Sequence, residues 1–185
     1  MSTVTAPHTA TGTYAIDATH SRIGFVARHA MITKVRGSFD EFEGGGVFDA
    51  ANPENSTLEV TIKTASIDTR NADRDGHLRS NDFFDMEKYP DITFQSTAVK
   101  PVDATHFDVT GDLTVKETTK PVTIPLEFTG SAVDPFGNHR IGFEGSTEIN
   151  RKDWGVNWNA ALEAGGLLVS EKVTLEFDIS AIRDT

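Results

Sequence analysis

Asp17, His20 and Ser21 lie within one five-residue stretch, and His29 follows eight residues after Ser21. A carboxylate, an imidazole and a hydroxyl are the parts of an acyl-transfer triad. The surrounding alternation argues against that use. Neighbours on a strand face opposite sides, so Ser21 and His29 share the parity of Ile23, Phe25 and Ala27, while His20, Arg22 and Arg28 take the other. No nucleophile elbow or oxyanion loop is visible. The expectation is a polar pair, Ser21 and His29, facing inward in an apolar wall, with no catalytic residue assigned.

Arg70, Arg74, His77 and Arg79 form a second group, in an acidic chain. They fall in or beside a polar, non-alternating segment near residues 71–84, which reads as a short helix. Asn71 or Asp73 would cap it, Leu78 would anchor it, and Gly76 would weaken it. Arginines beside a helix N-terminus suit a phosphate head group. Equally, Arg74 and Arg79 could pair with Asp73, Asp75, Asp82 or Asp85 at the surface. Asp73-Arg74-Asp75-Gly76 opens like a calcium loop but lacks the third acidic ligand and the distant Glu. The six His show no metal-ligand spacing and there is no Cys, so no metal site or cofactor is implied.

These groups must be positioned by strands. Phe107, Val109, Leu113 and Val115 share one parity, as do Val122, Ile124, Leu126 and Phe128. So do Ile141, Phe143 and Ile149, and then Val173, Leu175, Phe177 and Ile179. Period two marks strands with one dry face. Long one-sided strands at close spacing suggest a sheet curled round an interior. Further strands are expected at Thr13–Asp17, at Ser21–His29 continuing through Val35, Gly37 and Phe39, from Leu58 to Ile67, and through Ile92, Phe94, Ser96 and Ala98. Gly44-Gly45-Gly46 suggests a bulge or tight turn. Pro121 and Pro125 lie on the outward parity, where a strand should be bent or poorly paired. Gly37, Gly111, Gly130 and Gly145 fall on the inward parity. A missing side chain there leaves room for a ligand or relieves strain at a bend; on the first reading Gly111→Phe should reduce uptake and keep the fold.

At 185 residues the chain suits one domain, over 13–185, behind a flexible tail, 1–12. The net charge of −11 repels nucleic-acid phosphates and anionic membrane surfaces. No apolar run approaches membrane-spanning length, so no integral membrane segment is expected. The N-terminus does not read as a signal peptide, so the expected compartment is the cytoplasm. The 12 Phe against 2 Tyr and 2 Trp suit a dry interior. Phe25, Phe94, Phe107, Phe143, Trp154 and Trp158 either line a channel or close a solid core.

The motifs then converge. Asp17-Ala18-Thr19-His20-Ser21-Arg22-Ile23-Gly24-Phe25 is followed by Val35-Arg36-Gly37-Ser38-Phe39. Next come Asp75-Gly76-His77-Leu78-Arg79-Ser80, Asp82-Phe83-Phe84-Asp85 and Tyr89-Pro90. Gly111-Asp112-Leu113-Thr114-Val115 and Asn150-Arg151-Lys152-Asp153-Trp154-Gly155 complete the series. In this order they resemble the YceI-like, polyisoprenoid-binding family over nearly the whole chain. The resemblance implies an all-β fold, an extended eight-stranded antiparallel lipocalin-like β-barrel with a helical segment at one end. It implies a channel for a long-chain isoprenoid or acyl lipid, bound without chemistry, and a homodimer. Many members carry a periplasmic signal; this chain shows none. Glu117 stands where the family pattern leads one to expect Gly, which bears on the turn after Val115. The ligand contacts expected are Ser21, Ile23, Phe25, His29, Phe39, His77, Arg79, Phe94, Phe107, Val109, Gly111, Phe143, Trp154 and Trp158. The competing class is an interaction or stress-response protein, a filled barrel that acts through a dimer surface and extracts no lipid.

Overall fold

The computed structural model describes residues 10–160, 162 and 168–184. The described chain forms eleven strand segments and one α-helix. β1 (Gly12–Ile16) and β2 (Arg22–His29) are halves of one long strand, kinked where residues 18–20 wind into a short 3₁₀ turn. β3 (Thr33–Phe39) and β4 (Phe42–Phe48) form a second such pair, and β5 (Glu59–Lys63) and β6 (Ile67–Asp68) a third. β7 (Asp91–Pro101), β8 (His106–Val115), β9 (Thr118–Val133), β10 (His139–Asn150) and β11 (Lys172–Arg183) are unbroken. Every pairing is antiparallel, and β11 pairs with both β1 and β2. The ring β1-β4-β5-β7-β8-β9-β10-β11 therefore closes on itself. This is the eight-stranded barrel expected, and β2, β3 and β6 extend it at one end.

The expected strand from Leu58 to Ile67 is broken. Thr64 is buried, and its hydroxyl donates to the Tyr89 carbonyl at 3.0 Å, which pins the 3₁₀ turn between β5 and β6. No β6–β7 pairing occurs among the described strands. That end is covered instead by α1 (Ala72–Arg79) and the segment after it. Asn71 is the cap: its side-chain oxygen accepts from the Arg74 N–H at 2.9 Å. Buried Asp75 accepts from the Thr69 N–H at 2.9 Å and the Thr69 hydroxyl at 2.5 Å.

The glycine run is neither bulge nor turn. Gly44, Gly45 and Gly46 lie inside β4, and a Cβ at each would overlap the carbonyl of Glu59, Tyr14 and Thr57 respectively. Glycine is needed there because neighbouring backbone approaches too closely for a side chain. A real bulge lies elsewhere, between Ser96 and Ala98 in β7. It turns Ala98 outward and sets Val99 opposite Val109. Pro121 and Pro125 pair in unbroken register with Asp112 and Asp108 of β8, and the β9–β10 pairing stops at Leu126. Both prolines thus sit where β9 is paired on one side only. The turn after Val115 forms with Glu117 in place: the left-handed residue is Lys116, at φ 58°.

Of the expected N-terminal tail, residues 1–9 lie outside the described residues. Ala10 is buried, and its carbonyl accepts from the Tyr14 hydroxyl at 2.7 Å, so the packed part of the chain begins earlier than residue 13. The apolar interior falls into two clusters. The smaller is aromatic: Phe48 stacks on Phe128 at 5.9 Å and meets Phe143 edge-on at 5.4 Å. The larger gathers Ile23, Phe39, Ile67, Phe83, Phe94 and Trp154 towards the α1 end.

Candidate functional site

The interior is not filled. A cavity of about 280 Å³ lies inside the barrel, lined from every strand and by Leu78, Phe83 and Phe84 from the α1 end. Its wall on β8 runs from Phe107 to Val115. The eight steps between them, at about 3.3 Å each, make a path of roughly 26 Å, shortened by strand tilt. The shape is long and narrow, and its surface is almost wholly apolar.

Of the expected contacts, Ile23, Phe25, Phe39, Phe94, Phe107, Val109, Phe143 and Trp154 lie on the cavity wall. Trp154 is buried, and its indole N–H donates to the Leu113 carbonyl at 2.9 Å. The other six lie off the wall, each for an identifiable reason. Ser21 sits in the kink between β1 and β2. Its hydroxyl donates to the Ser180 carbonyl at 3.1 Å and accepts from the Ser180 N–H at 2.9 Å. His29 has the inward parity but ends β2 and is exposed. The polar pair predicted for Ser21 and His29 is not formed. Asp17 and His20 do meet, Nδ1 to Oδ2 at 2.7 Å, because residues 18–20 are helical and not extended.

Gly111 leaves no room for a ligand. The Phe94 ring occupies that space, and the Phe25 ring does the same over Gly37. Phe25 and Gly37 are directly opposite on β2 and β3. An aromatic ring folded over a cross-strand glycine fills the gap that the glycine leaves in a sheet. Gly111→Phe would therefore strike Phe94 and damage the fold.

The cationic group near α1 is structural in its contacts. Arg79 donates to the carbonyls of Ala65 at 2.9 Å and Ile67 at 3.0 Å. Arg74 donates to Thr69 through Nε and Nη2, both at 2.7 Å. Among the described residues neither arginine forms the surface ion pairs expected of it, and both are engaged on hydroxyl and carbonyl oxygens. They tie α1 to β6 and to the chain on either side of it. His77 bonds Asp82 at 2.8 Å, and Trp158 packs edge-to-face on the His77 ring at 4.5 Å, outside the cavity wall.

Sequence reasoning passed over Arg151. It is the one charged residue on the wall among the described residues, and it is 7% exposed. Its Nε donates to the Ser170 carbonyl at 2.9 Å, Nη1 to Val156 at 2.6 Å and Nη2 to Val169 at 3.4 Å. Its guanidinium lies 6.0 Å from the Phe83 ring centre. Burial pulls its pKa below the ordinary arginine value, partly offset by the charge of Glu171. Glu171 itself is held by Lys152 at 2.9 Å. Arg151 thus stays cationic at the cavity, met directly by carbonyl dipoles and not by a carboxylate. A signal was present: Arg151 continues the inward series Ile141, Phe143, Gly145, Thr147 and Ile149.

Such a site can hold an extended apolar chain with a polar acceptor at one end. The remaining polar wall groups are occupied. Tyr14 donates to Ala10, Ser56 accepts from the Asp49 N–H at 2.9 Å, and Thr57 accepts from the Val47 N–H at 3.2 Å. Among the described residues no cluster of His, Asp or Glu is arranged to hold a metal, and no helix is long and apolar enough to cross a membrane.

Compared with known proteins, residues 14–181 match the YceI-like domain. A UPF0312 protein of Ectopseudomonas mendocina is 42% identical over 172 residues, covering 92% of this chain and 87% of the relative. The crystal structure of Burkholderia cenocepacia BcnA superposes with a TM-score of 0.79 at 25% identity, over 89% of this chain and 98% of that one. A polyisoprenoid binding domain from Saccharophagus degradans, implicated in plant cell wall breakdown, shares the fold, with a TM-score of 0.67 at 21% identity. It matches over 92% of this chain and 98% of that domain.

Proposed function

The chain belongs to the YceI-like family, and from that premise we propose that it binds a long-chain apolar small molecule in the barrel cavity without changing it chemically. The ligand is a polyisoprenoid, an isoprenoid quinone or a similar lipid. The observation that carries this reading is the long apolar cavity with one buried cation on its wall. Each buried methylene contributes about 0.8 kcal/mol, so a chain extended along the axis gains affinity without directional contacts. Arg151 receives the polar end, and the tail runs towards Tyr14 and Phe107. The polyisoprenoid-binding description of the Saccharophagus domain, on the same fold, supports this class of ligand. The occupied state of the other polar wall groups supports binding over catalysis.

The test is to purify the protein without added ligand, denature it, and analyse organic extracts by mass spectrometry, with the native mass measured in parallel. A stoichiometric isoprenoid or acyl species is the expected result. A ligand-free protein that also refuses polyprenols and prenyl quinones in solution would replace this reading with a filled barrel that acts through its surface.

A further inference from the structure

The hairpin joining β2 to β3 is unlike the rest of the molecule. The chain carries 28 carboxylates, yet residues 18–39 hold none of them and hold Arg22, Arg28, Lys34 and Arg36. Arg28 and Lys34 face each other directly across the two strands. Like charges in that position repel. Arg22 and Arg36 each approach Glu176 at 3.7 Å, whereas Arg28 and Lys34 form no ion pair among the described residues.

Beyond this pair the chain turns at Ala30 and Met31, closed by the Ile32 N–H donating to the His29 carbonyl at 3.0 Å. Both central residues have positive φ, 52° and 59°. Such turns usually take Asn-Gly, because a Cβ is strained there. Met31 and Ile32 are 61% and 76% exposed at the tip. A strained turn thus holds two apolar side chains out in water above a cationic pair that has no ion-pair partner among the described residues.

The tip also adjoins the cavity's charged end. Ala30 N–H donates to the Leu168 carbonyl at 2.7 Å, and His29 bridges to Val169. The Arg28 N–H donates to the Ser170 hydroxyl at 2.9 Å, while the Ser170 and Val169 carbonyls accept from Arg151.

We propose that the β2–β3 tip docks this protein on an anionic lipid bilayer, with Met31 and Ile32 entering the interface and Arg28 and Lys34 meeting lipid phosphates. The proposal rests on the lipid-binding reading above and adds where the ligand is collected or delivered. Apolar tips flanked by cations are what an anionic membrane surface attracts. A two-residue tip is far too small for a stable protein interface, which buries about 800 Å² on each partner. The net charge of −11 opposes approach in any other orientation, so the attraction is confined to this end.

The experiment is sedimentation of the full chain with vesicles of phosphatidylcholine alone or of phosphatidylcholine with phosphatidylglycerol. At low salt the partition into the anionic vesicles should exceed that into neutral ones at least tenfold, and high salt should erase the difference. Two double variants, M31S with I32S and R28E with K34E, should each lower anionic-vesicle binding tenfold or more. Both should keep the wild-type unfolding midpoint and extractable lipid content. Equal partition into both vesicles, or unchanged binding by either variant, overturns the proposal. So does a concentration-dependent dimer that these variants abolish in the absence of vesicle binding. Retained lipid with no vesicle binding rejects the docking tip alone. Specific anionic-vesicle binding by a protein whose cavity takes no lipid rejects the cavity reading and leaves the tip standing.

Discussion

Ile124 lies on the cavity wall directly opposite Val109, closer to the Phe107 end of the β8 wall than to the Leu113–Val115 end, where Trp154 of the Arg151–Trp154 turn bonds Leu113. Ile124→Trp should shorten the usable channel from its far end. The indole adds the bulk of about two methylenes, and displacing two ligand methylenes at about 0.8 kcal/mol each costs roughly 1.6 kcal/mol. That converts to a loss of about 15-fold in affinity. The loss should depend on chain length. A prenyl phosphate too short to reach Ile124 from Arg151 should keep its affinity, while a long polyprenyl phosphate should lose the full amount. Kd values from competition against a fluorescent polyene lipid measure both, with urea unfolding run alongside. Ile124→Phe, a smaller addition, should give the same ranking with a smaller loss. If the Trp variant unfolds at the wild-type midpoint and binds the long chain unchanged, the ligand does not lie along this wall and the argument from cavity geometry fails.

Three further outcomes follow from particular contacts. Gly111→Ala sets a Cβ against the Phe94 ring and the Gln95 carbonyl, and should cost about 1–3 kcal/mol by urea denaturation. Adding Phe94→Leu should recover part of that, and no recovery would remove the ring from the explanation. Arg140 donates to Asp17 at 2.7 Å and to Asp134 at 2.8 Å, holding both carboxyls well below the usual carboxylate range. A depressed folded pKa means stability that is full above the unfolded value, about 3.9, and lost as pH falls through the folded value. Melting temperature should therefore fall on acidification below about pH 4, and Arg140→Gln should flatten that limb. Arg79→Ala should lower stability by about 1–3 kcal/mol by freeing the Ala65 and Ile67 carbonyls. It should leave the ratio of affinities for a prenyl phosphate and the matching prenyl alcohol unchanged; a selective loss of the phosphate would return Arg79 to the head-group role.

Strict alternation in the last eighty residues is enough to orient β8 to β11, because a strand's faces are set by a period of two that needs no partner. It puts Phe107, Val109, Ile124 and Phe143 on the inside correctly, and local chemistry narrows the helix cap to Asn71 or Asp73, of which the folded chain uses Asn71. What alternation lacks is any knowledge of where a strand stops or slips. His29 keeps the inward parity and still ends in water, because β2 terminates there. The bulge in β7 reverses Ala98 and Val99 in the same way. Closing the sheet into a barrel brings backbones together at Gly44, Gly45 and Gly46. It also sets the Phe25 and Phe94 rings over Gly37 and Gly111, contacts that no single strand's sequence contains. Arg151 shows the division most clearly. Its parity is legible, but a buried guanidinium is tolerated only where carbonyls converge on it. Those of Val156, Val169 and Ser170 come from the chain between the 3₁₀ turn at Arg151–Trp154 and β11, and only the folded chain brings them to one point.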